Sequence, residues 1–233
     1  MGGIGTWDSV RTTDFFTLGR VMMHHISNVA AVLLAAGGSS RLGVPKQLLS
    51  DQDGVPLVAG VVAQLLAAGC RPVIVVTGAI AEGVADALLR MEVTLVHNAA
   101  WAEGMGTSIA QGVGALSMVP RSEDVRGVLI AACDMPAIGA AHFGELIRVS
   151  NNGRIRTGSA YMSRMSVDDS PMLLGIPAIF PKPDWQALAL LFGDRGARTL
   201  LTETGTLSVP SSQCTFDLDT PNDVAAWRSK PKT

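Results

Sequence analysis

An unbroken apolar run at 29–36, followed at once by two glycines, constrains the fold of this 233-residue chain more than any other feature. Its length and its valine and leucine content predict a strand buried in a parallel sheet. Residues 37–46 then read GGSSRLGVPK. Adjacent glycines allow a tight turn with accessible backbone N–H groups, which with Ser39, Arg41 and Lys46 suit a polyanion such as a nucleoside triphosphate. The alternative is an ordinary strand and turn with two solvated basic residues.

Strand and helix patterns alternate along the rest of the chain. Further strands are predicted at 72–77, 93–97, 125–132, 159–162, 175–181 and 216–219. Helices are predicted at about 56–68, 81–90, 108–116, 185–191 and 197–204, and two more are predicted to begin near 139 and 221. This alternation predicts an α/β fold with a doubly wound, mostly parallel sheet and right-handed crossovers. No repeat or linker interrupts 29–229, which we expect to form a single domain.

Composition and charge exclude several classes of partner. Charged residues make up 16% of the chain and the formal net charge is −2, so no overall field recruits nucleic acid or an anionic membrane. No apolar run is long enough for a membrane span. The cysteines are three and widely spaced, which predicts neither a disulfide framework nor a metal cluster and favours a cytoplasmic protein.

Residues 1–28 differ from the remainder and contain no apolar run long enough for a signal peptide. Met22 and Met23 lie shortly before the first predicted strand. We expect translation to begin there, or residues 1–28 to form a loosely ordered N-terminal arm.

An acidic residue follows the predicted strand at 125–132. Asp134 lies just past the carboxyl end of that strand, where open α/β sheets bind ligands. Mg²⁺ takes one or two carboxylates together with substrate phosphate oxygens, so Asp134 is the first candidate for a metal ligand. The alternative is an N-cap for the helix that starts near Gly139. Asp217 and Asp219 point to the same side of the predicted terminal strand and could also reach a cation, unless Asp219 belongs to the turn that caps the next helix.

A second glycine loop precedes the helix at 108–116. Gly104, Met105 and Gly106 are followed closely by Ser108. A flat ligand, such as a nucleotide base, could pack against the bare glycine backbone. A plain helix start explains the same residues equally well.

The segment LAAGGSSRLGVPKQLL resembles the signature LAAGxSxRMGxxK of nucleotidyltransferases related to molybdenum cofactor cytidylyltransferase and its guanylyltransferase relative. Further segments resemble the family in the family's order over nearly all of 29–226: WAEGMGTSI, CDMPAI, GIPAIFP, GDRGARTLL and DLDTPND. The resemblance implies a Rossmann-like fold of the nucleotide-diphospho-sugar transferase type. It also implies a reaction in which an acceptor phosphate attacks the α-phosphate of a nucleoside triphosphate and pyrophosphate leaves.

The resemblance also assigns roles to residues. Arg41 and Lys46 would stabilise the charge that develops on pyrophosphate. Asp134 would hold Mg²⁺, with Asp219, or failing that Asp217, as the second ligand. The nucleotide would be bound by two groups of residues, Leu34, Ala35, Ala36, Gly37, Gly38 and Ser39 around the triphosphate and Gly104, Met105, Gly106 and Ser108 beside the base.

The choice of nucleotide rests on small differences between the family's branches. The guanylyltransferase branch has LAGG where this chain has LAAG at 34–37, and an Asn-rich motif where this chain has DLD at 217–219. GMGTSI and GDRGAR also resemble the cytidylyltransferase branch, whereas Cys133-Asp134 resembles the other. CTP is therefore favoured over GTP.

The acceptor implied by the resemblance is a molybdopterin-type cofactor, and a molybdoenzyme is a further candidate partner. Another phosphorylated small molecule is the alternative acceptor. A non-catalytic carrier of the molybdenum cofactor is the alternative from a different functional class. An NAD(P)-binding Rossmann protein is disfavoured because the G-x-G-x-x-G spacing is missing after the first strand.

Overall fold

Seven strands form one mixed sheet in the part of the chain that the structure describes. This computed structural model describes residues 27–39, 42–120, 122–161 and 172–229. The strands are β1 Val29–Ala35, β2 Val73–Thr77, β3 Thr94–His97, β4 Gly127–Ala132, β5 Thr157–Tyr161, β6 Leu173–Pro181 and β7 Leu207–Pro210.

The order of the strands across the sheet is β3-β2-β1-β4-β6-β5-β7. Among these strands, only β6 is antiparallel to both of its neighbours, β4 and β5. The remaining neighbouring pairs are parallel. The other six strands therefore end at the same edge of the sheet, which we call the carboxyl edge. The predicted doubly wound, mostly parallel α/β sheet is confirmed.

Helices cover both faces of the sheet. They are α1 Leu57–Ala67, α2 Ala81–Leu88, α3 Met105–Ala115, α4 Ala140–Val149, α5 Trp185–Ala189, α6 Arg198–Leu201 and α7 Pro221–Ser229. Core residues of α1, α2, α4 and α7 pack on one face, and those of α3, α5 and α6 pack on the other. Successive residues of β1 alternate between the two cores, as a strand buried on both faces requires.

The C-terminal part of the sheet differs from the prediction. Residues 216–219 form no strand, and the last strand of the sheet is instead β7, which the sequence pattern did not predict. Only Val209 of β7 is buried, because this strand lies at the edge of the sheet and has little apolar pattern. The segment 216–219 lies at the carboxyl edge, where the Leu218 N–H donates to the Asp134 carbonyl, and leads into α7.

Two expectations about the N-terminal region stay untested. Met22 and Met23 lie outside the described residues, as does most of the proposed arm at 1–28. The boundaries of the proposed domain at 29–229 therefore remain predictions.

No helix among the described residues is long and apolar enough to cross a membrane. The three cysteines, all of them within the described part, are buried free thiols.

Candidate active site

Three charged side chains from distant parts of the chain meet at the carboxyl edge. The Lys46 Nζ donates to a carboxylate oxygen of Asp134 at 2.6 Å and to one of Asp219 at 3.4 Å. Lys46 follows β1, Asp134 follows β4, and Asp219 precedes α7. Since β1 and β4 are adjacent and parallel, the residues after them emerge side by side.

The lysine of this trio is held as a cation. Its side chain is only 18% exposed, and burial lowers the pKa of Lys46. The charges and hydrogen bonds of Asp134 and Asp219 outweigh that effect, so the pKa of Lys46 rises above its ordinary value of 10.5. Lys46 is therefore positively charged at neutral pH.

The same carboxylates form a suitable donor set for a hard divalent cation. Asp134 and Asp219 both contact one nitrogen atom, so their oxygens face the same small space. Within the described ranges, no group of three or more His, Cys, Asp or Glu side chains is arranged to hold a metal ion. Two carboxylates fit Mg²⁺, which commonly completes its shell with water and substrate phosphate oxygens.

The backbone places Asp219, rather than Asp217, beside Asp134. The backbone N–H of Leu218 donates to the backbone carbonyl of Asp134 at 3.0 Å. This bond brings the next side chain, that of Asp219, to Lys46. The expected strand is not formed at 216–219, so the strand alternation that was expected to relate Asp217 to Asp219 does not apply.

The helix caps next to the two proposed metal ligands differ between α4 and α7. The N-cap of α4 is Gly139, so the alternative role of Asp134 as an N-cap is wrong. At α7, the backbone N–H of Asp223 donates to the Thr220 hydroxyl, as predicted for a capping residue. The Asp223 carboxylate accepts from the Thr220 N–H in return. The Asp219 backbone N–H also donates to that carboxylate at 3.3 Å, so Asp219 belongs to the capping turn, as the alternative interpretation expected, while its own carboxylate contacts Lys46.

The first glycine loop is held in place by a buried side chain that the sequence pattern did not reveal. Gln47 is 2% exposed, and its Nε2 donates to the carbonyls of Ala35 at 3.0 Å and Gly37 at 2.6 Å. The Ser39 hydroxyl donates to Gln47 Oε1 at 3.3 Å and accepts from the Lys46 backbone N–H at 3.0 Å. The only sequence signal was an amide side chain between Lys46 and an apolar pair.

The structure divides the predicted triphosphate-binding residues into two groups. The carbonyls of Leu34, Ala35 and Ala36 accept hydrogen bonds from protein donors, and Ala35 and Ala36 are buried. Gly37 and Gly38 are exposed, and Ser39 is partly exposed in a left-handed backbone conformation with φ of 53°. The accessible part of the loop is therefore 37–39. Arg41 lies outside the described residues, and its predicted role stays a prediction.

The glycines of the second loop make room for another backbone segment. A Cβ on Gly104, whose φ is +123°, would lie 2.3 Å from the backbone carbon of Gly193. A Cβ on Gly106 would lie 2.8 Å from the backbone of Phe192 and of Arg195. The Gly106 N–H also donates to the Gly193 carbonyl at 2.8 Å. The bare faces of both glycines are thus covered by the segment at 192–195, which neither sequence interpretation anticipated.

The side chains around this second loop are fixed by Asn98. Asn98 is fully buried, and its Nδ2 donates to the hydroxyls of Thr107 at 2.9 Å and Ser108 at 3.0 Å. Ser108, one of the predicted base-binding residues, is 5% exposed, whereas Met105 is 47% exposed. Of these two side chains, Met105 is the more accessible to a ligand.

Trp101 connects the two glycine loops. A Cβ on Gly38 would lie 3.1 Å from the Trp101 ring, so the first loop passes directly over it. Trp101 begins the 3-10 turn at 101–103 that leads into Gly104. The two loops thus share one continuous surface at the carboxyl edge.

The chain is similar in sequence to one protein named as an oxidoreductase and to two named as molybdenum cofactor nucleotidyltransferases. The chain is 33% identical over 178 residues to nicotine blue oxidoreductase of Paenarthrobacter nicotinovorans, covering 75% of this chain and 82% of that protein. It is 33% identical over 133 residues to a probable molybdenum cofactor guanylyltransferase of Opitutus terrae, covering 57% and 61%. It is 24% identical over 211 residues to the molybdenum cofactor cytidylyltransferase of Escherichia coli, covering 88% and 98%.

The chain is also similar to a solved nucleotidyl transferase structure and matches the model of a protein family. A nucleotidyl transferase from Methanothermobacter thermautotrophicus superposes with a TM-score of 0.67 at 26% identity, covering 86% of this chain and 95% of that one. The family described as the MobA-like NTP transferase domain matches residues 31–208, from β1 into β7. The chain therefore belongs to the MobA-like NTP transferase family.

Proposed function

We propose that this protein transfers a nucleoside monophosphate, preferably CMP from CTP, to the phosphate of a molybdopterin-type acceptor. The observation that carries this proposal is the meeting of Lys46, Asp134 and Asp219 beside the glycine loop at 37–39. An exposed backbone loop, a lysine and two carboxylates are the groups that nucleotidyl transfer needs. In the reaction an acceptor phosphate oxygen bonds to the α-phosphorus, and the bond to the bridging oxygen breaks, releasing pyrophosphate.

Each group has a distinct role in this proposal. The backbone of the loop at 37–39 binds the triphosphate, and Lys46, with Arg41, neutralises the charge that develops on the leaving pyrophosphate. Asp134 and Asp219 are the residues that would hold Mg²⁺, which supplies charge neutralisation on the phosphates when bound. No side chain needs to form a covalent intermediate.

The preference for CTP rests on the sequence of the two loops. Ala36 stands where the guanylyltransferase branch has glycine, and the segment at 104–109 resembles the cytidylyltransferase branch. The relatives named above include one of each kind, so GTP is the alternative nucleotide.

The proposed activity is tested by pyrophosphate release. The purified protein is incubated with Mg²⁺ and with CTP or GTP, in the presence of molybdopterin-type cofactor, sugar phosphates or alcohol phosphates. We expect release to be fastest with CTP and the molybdopterin-type cofactor. If no combination of nucleotide and acceptor gives pyrophosphate release, nucleotidyl transfer is contradicted. If pyrophosphate is released with another acceptor, only the choice of acceptor is contradicted.

Two substitutions connect the activity to the trio. Asp134→Ala should abolish turnover, and Lys46→Ala should lower it by about 10²-fold or more if Lys46 stabilises transition-state charge. Asp124→Ala and Lys182→Ala serve as matched controls, because both residues are exposed and lie at the opposite edge of the sheet. Equal losses in the active-site and control variants would contradict these roles.

Two other functions need separate tests. The relative from Paenarthrobacter nicotinovorans is named an oxidoreductase, so oxidation of NADH and NADPH with quinone-type dyes is measured in parallel. A turnover of this kind that survives Asp134→Ala would favour the oxidoreductase alternative. Tight binding of the cofactor without CTP or Mg²⁺, together with no pyrophosphate release, would favour a carrier.

A further inference from the structure

The turn before α7 holds the backbone of Asp219 from two sides. On one side, the Leu218 N–H donates to the Asp134 carbonyl at 3.0 Å, and the Leu218 side chain is fully buried. On the other side, the Asp223 carboxylate accepts from the backbone N–H groups of Asp219 at 3.3 Å and of Thr220 at 2.8 Å. Asp219 is therefore fixed between the loop after β4 and the first turn of α7.

The bonds made by Asp223 extend a common helix-capping pattern by one residue. In a capping box, the side chain of the third helical residue accepts from the N–H of the residue before the helix, whose hydroxyl accepts from the third residue in return. Thr220 and Asp223 form both of these bonds, at 2.8 Å and 3.3 Å. The bond to the Asp219 N–H lies outside the capping box, and it connects the same carboxylate to a proposed metal ligand.

The helix that carries Asp223 is itself anchored at both ends. It begins at Pro221, whose fixed backbone angle suits the first position of a helix. Val224 is 9% exposed and packs in the same core as residues of α1 and α4. Near the other end, the Arg228 Nε donates at 3.0 Å to the carbonyl of Ser50, four residues after Lys46. The first turn of α7 is thus a firm support for Asp219.

The Asp219 carboxylate is the most exposed member of the trio. Its side chain is 41% exposed, against 27% for Asp134 and 18% for Lys46. Its contact with the Lys46 ammonium group is 3.4 Å long, whereas that of Asp134 is 2.6 Å. Because side-chain packing restrains an exposed carboxylate less, the hold on its backbone contributes more to its position.

We infer that Asp223 is a positioning residue for the metal site, because its bonds to the backbone of Asp219 and Thr220 hold the Asp219 carboxylate beside Asp134. This inference rests on the proposed nucleotidyl transfer, in which Asp134 and Asp219 hold Mg²⁺. Removal of a group that hydrogen-bonds to metal-ligating residues typically weakens metal binding by about 10–100-fold. Asp223 acts through Asp219 and is not itself proposed as a ligand.

The test measures metal binding rather than turnover. Mn²⁺ replaces Mg²⁺, because carboxylate and phosphate oxygens bind both ions, and free Mn²⁺ is measured by electron paramagnetic resonance. The protein is kept in excess over a CTP analogue with a methylene group between the α- and β-phosphates, and the analogue alone gives the baseline. The Mn²⁺ Kd is compared between the wild-type protein, Asp223→Ala and Asp223→Asn. Urea denaturation checks that each variant is folded under the assay conditions.

We expect Asp223→Ala to raise the Mn²⁺ Kd by about 10-fold or more. Asp223→Asn should raise it less, because an amide oxygen still accepts from the two N–H groups. In an Asp219→Ala background, Asp223→Ala should cause no further loss, because Asp219 has no carboxylate left to position. An unchanged Kd in Asp223→Ala overturns the inference. An equal loss in both backgrounds also overturns it, because Asp223 would then act independently of Asp219.

Two control variants separate this role from helix stability and from overall charge. Thr220→Ala weakens the same helix end but keeps both backbone bonds of Asp223. Asp124→Asn removes an exposed carboxylate at the opposite edge of the sheet. Both should raise the Mn²⁺ Kd much less than Asp223→Ala does, and an equal loss in either control overturns the inference. If the wild-type protein adds nothing to the Mn²⁺ binding of the analogue, the inference is also overturned, while pyrophosphate release would keep nucleotidyl transfer.

Discussion

The Lys46 ammonium group and an Asp134 carboxylate oxygen are 2.6 Å apart although 88 positions separate the two residues in the chain. The contact depends on the parallel pairing of β1 with β4, which brings the residues after both strands to one place. A cation and an anion in contact at a partly buried position favour each other's charged form. A polyphosphate could then bind to the lysine, while a divalent cation binds to the carboxylates.

Substitution of Gln47 should loosen the triphosphate loop. Gln47→Ala removes the amide that bonds to the carbonyls of Ala35 and Gly37, and leaves the Ala35 carbonyl buried without that donor. We expect the KM for CTP to rise by about 10-fold, since one to two kcal/mol of hydrogen bonding is lost. Steady-state kinetics check this, with Gln111→Ala, an exposed glutamine in α3, as the control. An unchanged KM would contradict a role for Gln47 in shaping the loop.

Two glycines of the same helix should respond in opposite ways to alanine. A Cβ on Gly106 would press on the backbone of residues 192–195, so Gly106→Ala should lower the free energy of unfolding by roughly 1–3 kcal/mol. Nothing lies within 4 Å of a Cβ on Gly114, so Gly114→Ala should raise the free energy of unfolding by about 0.5–1 kcal/mol. Urea denaturation of both variants measures the difference. Stabilisation by both substitutions would mean that residues 192–195 do not lie close to α3.

The ion pair between Arg156 and Asp184 should matter more for stability than a surface pair. The Arg156 guanidinium donates to both oxygens of Asp184 at 2.7 Å, and the two side chains are 14% and 11% exposed. Arg156→Ala leaves a partly buried carboxylate without its partner and should cost roughly 3 kcal/mol. Arg148→Ala breaks an exposed pair with Glu145 and should change stability little. Thermal unfolding compares the two variants, and similar losses would contradict this ranking.

Stability should fall in mildly acidic solution because of His142. Burial holds the pKa of His142 below its ordinary value of 6.5, with Glu145 partly opposing the shift. The unfolded chain then binds more protons, so the stabilisation from neutral His142 is complete above about pH 6.5 and is lost as the pH falls through the lower, folded-state pKa.

The pH effect is measured as the difference in Tm between about pH 7.5 and pH 5.5. It should be smaller in His142→Asn than in the wild-type protein, because the variant lacks the titrating group. The ring also makes a 2.8 Å hydrogen bond to the Ser159 hydroxyl, so the variant is expected to be less stable at both pH values. Equal pH differences in the two proteins would exclude His142 as the source.

The sequence by itself determined the class of the fold and one part of the site. The apolar run before two glycines predicted β1 and its loop because both are local features, set by burial and by backbone freedom. Asp134 could be picked out for a similar reason, since it directly follows a buried strand whose pattern is clear. The ordered resemblance of short segments then indicated the family, which the comparison over residues 31–208 confirmed.

Only the tertiary structure decided which distant groups meet. It placed Asp219 rather than Asp217 at Lys46 through the bond between Leu218 and Asp134, and it put Gln47 beneath the first loop. It also showed that Gly106 is covered by the backbone of residues 192–195. None of these contacts follows from local periodicity, because each depends on how strands and loops far apart in the chain pack at the carboxyl edge.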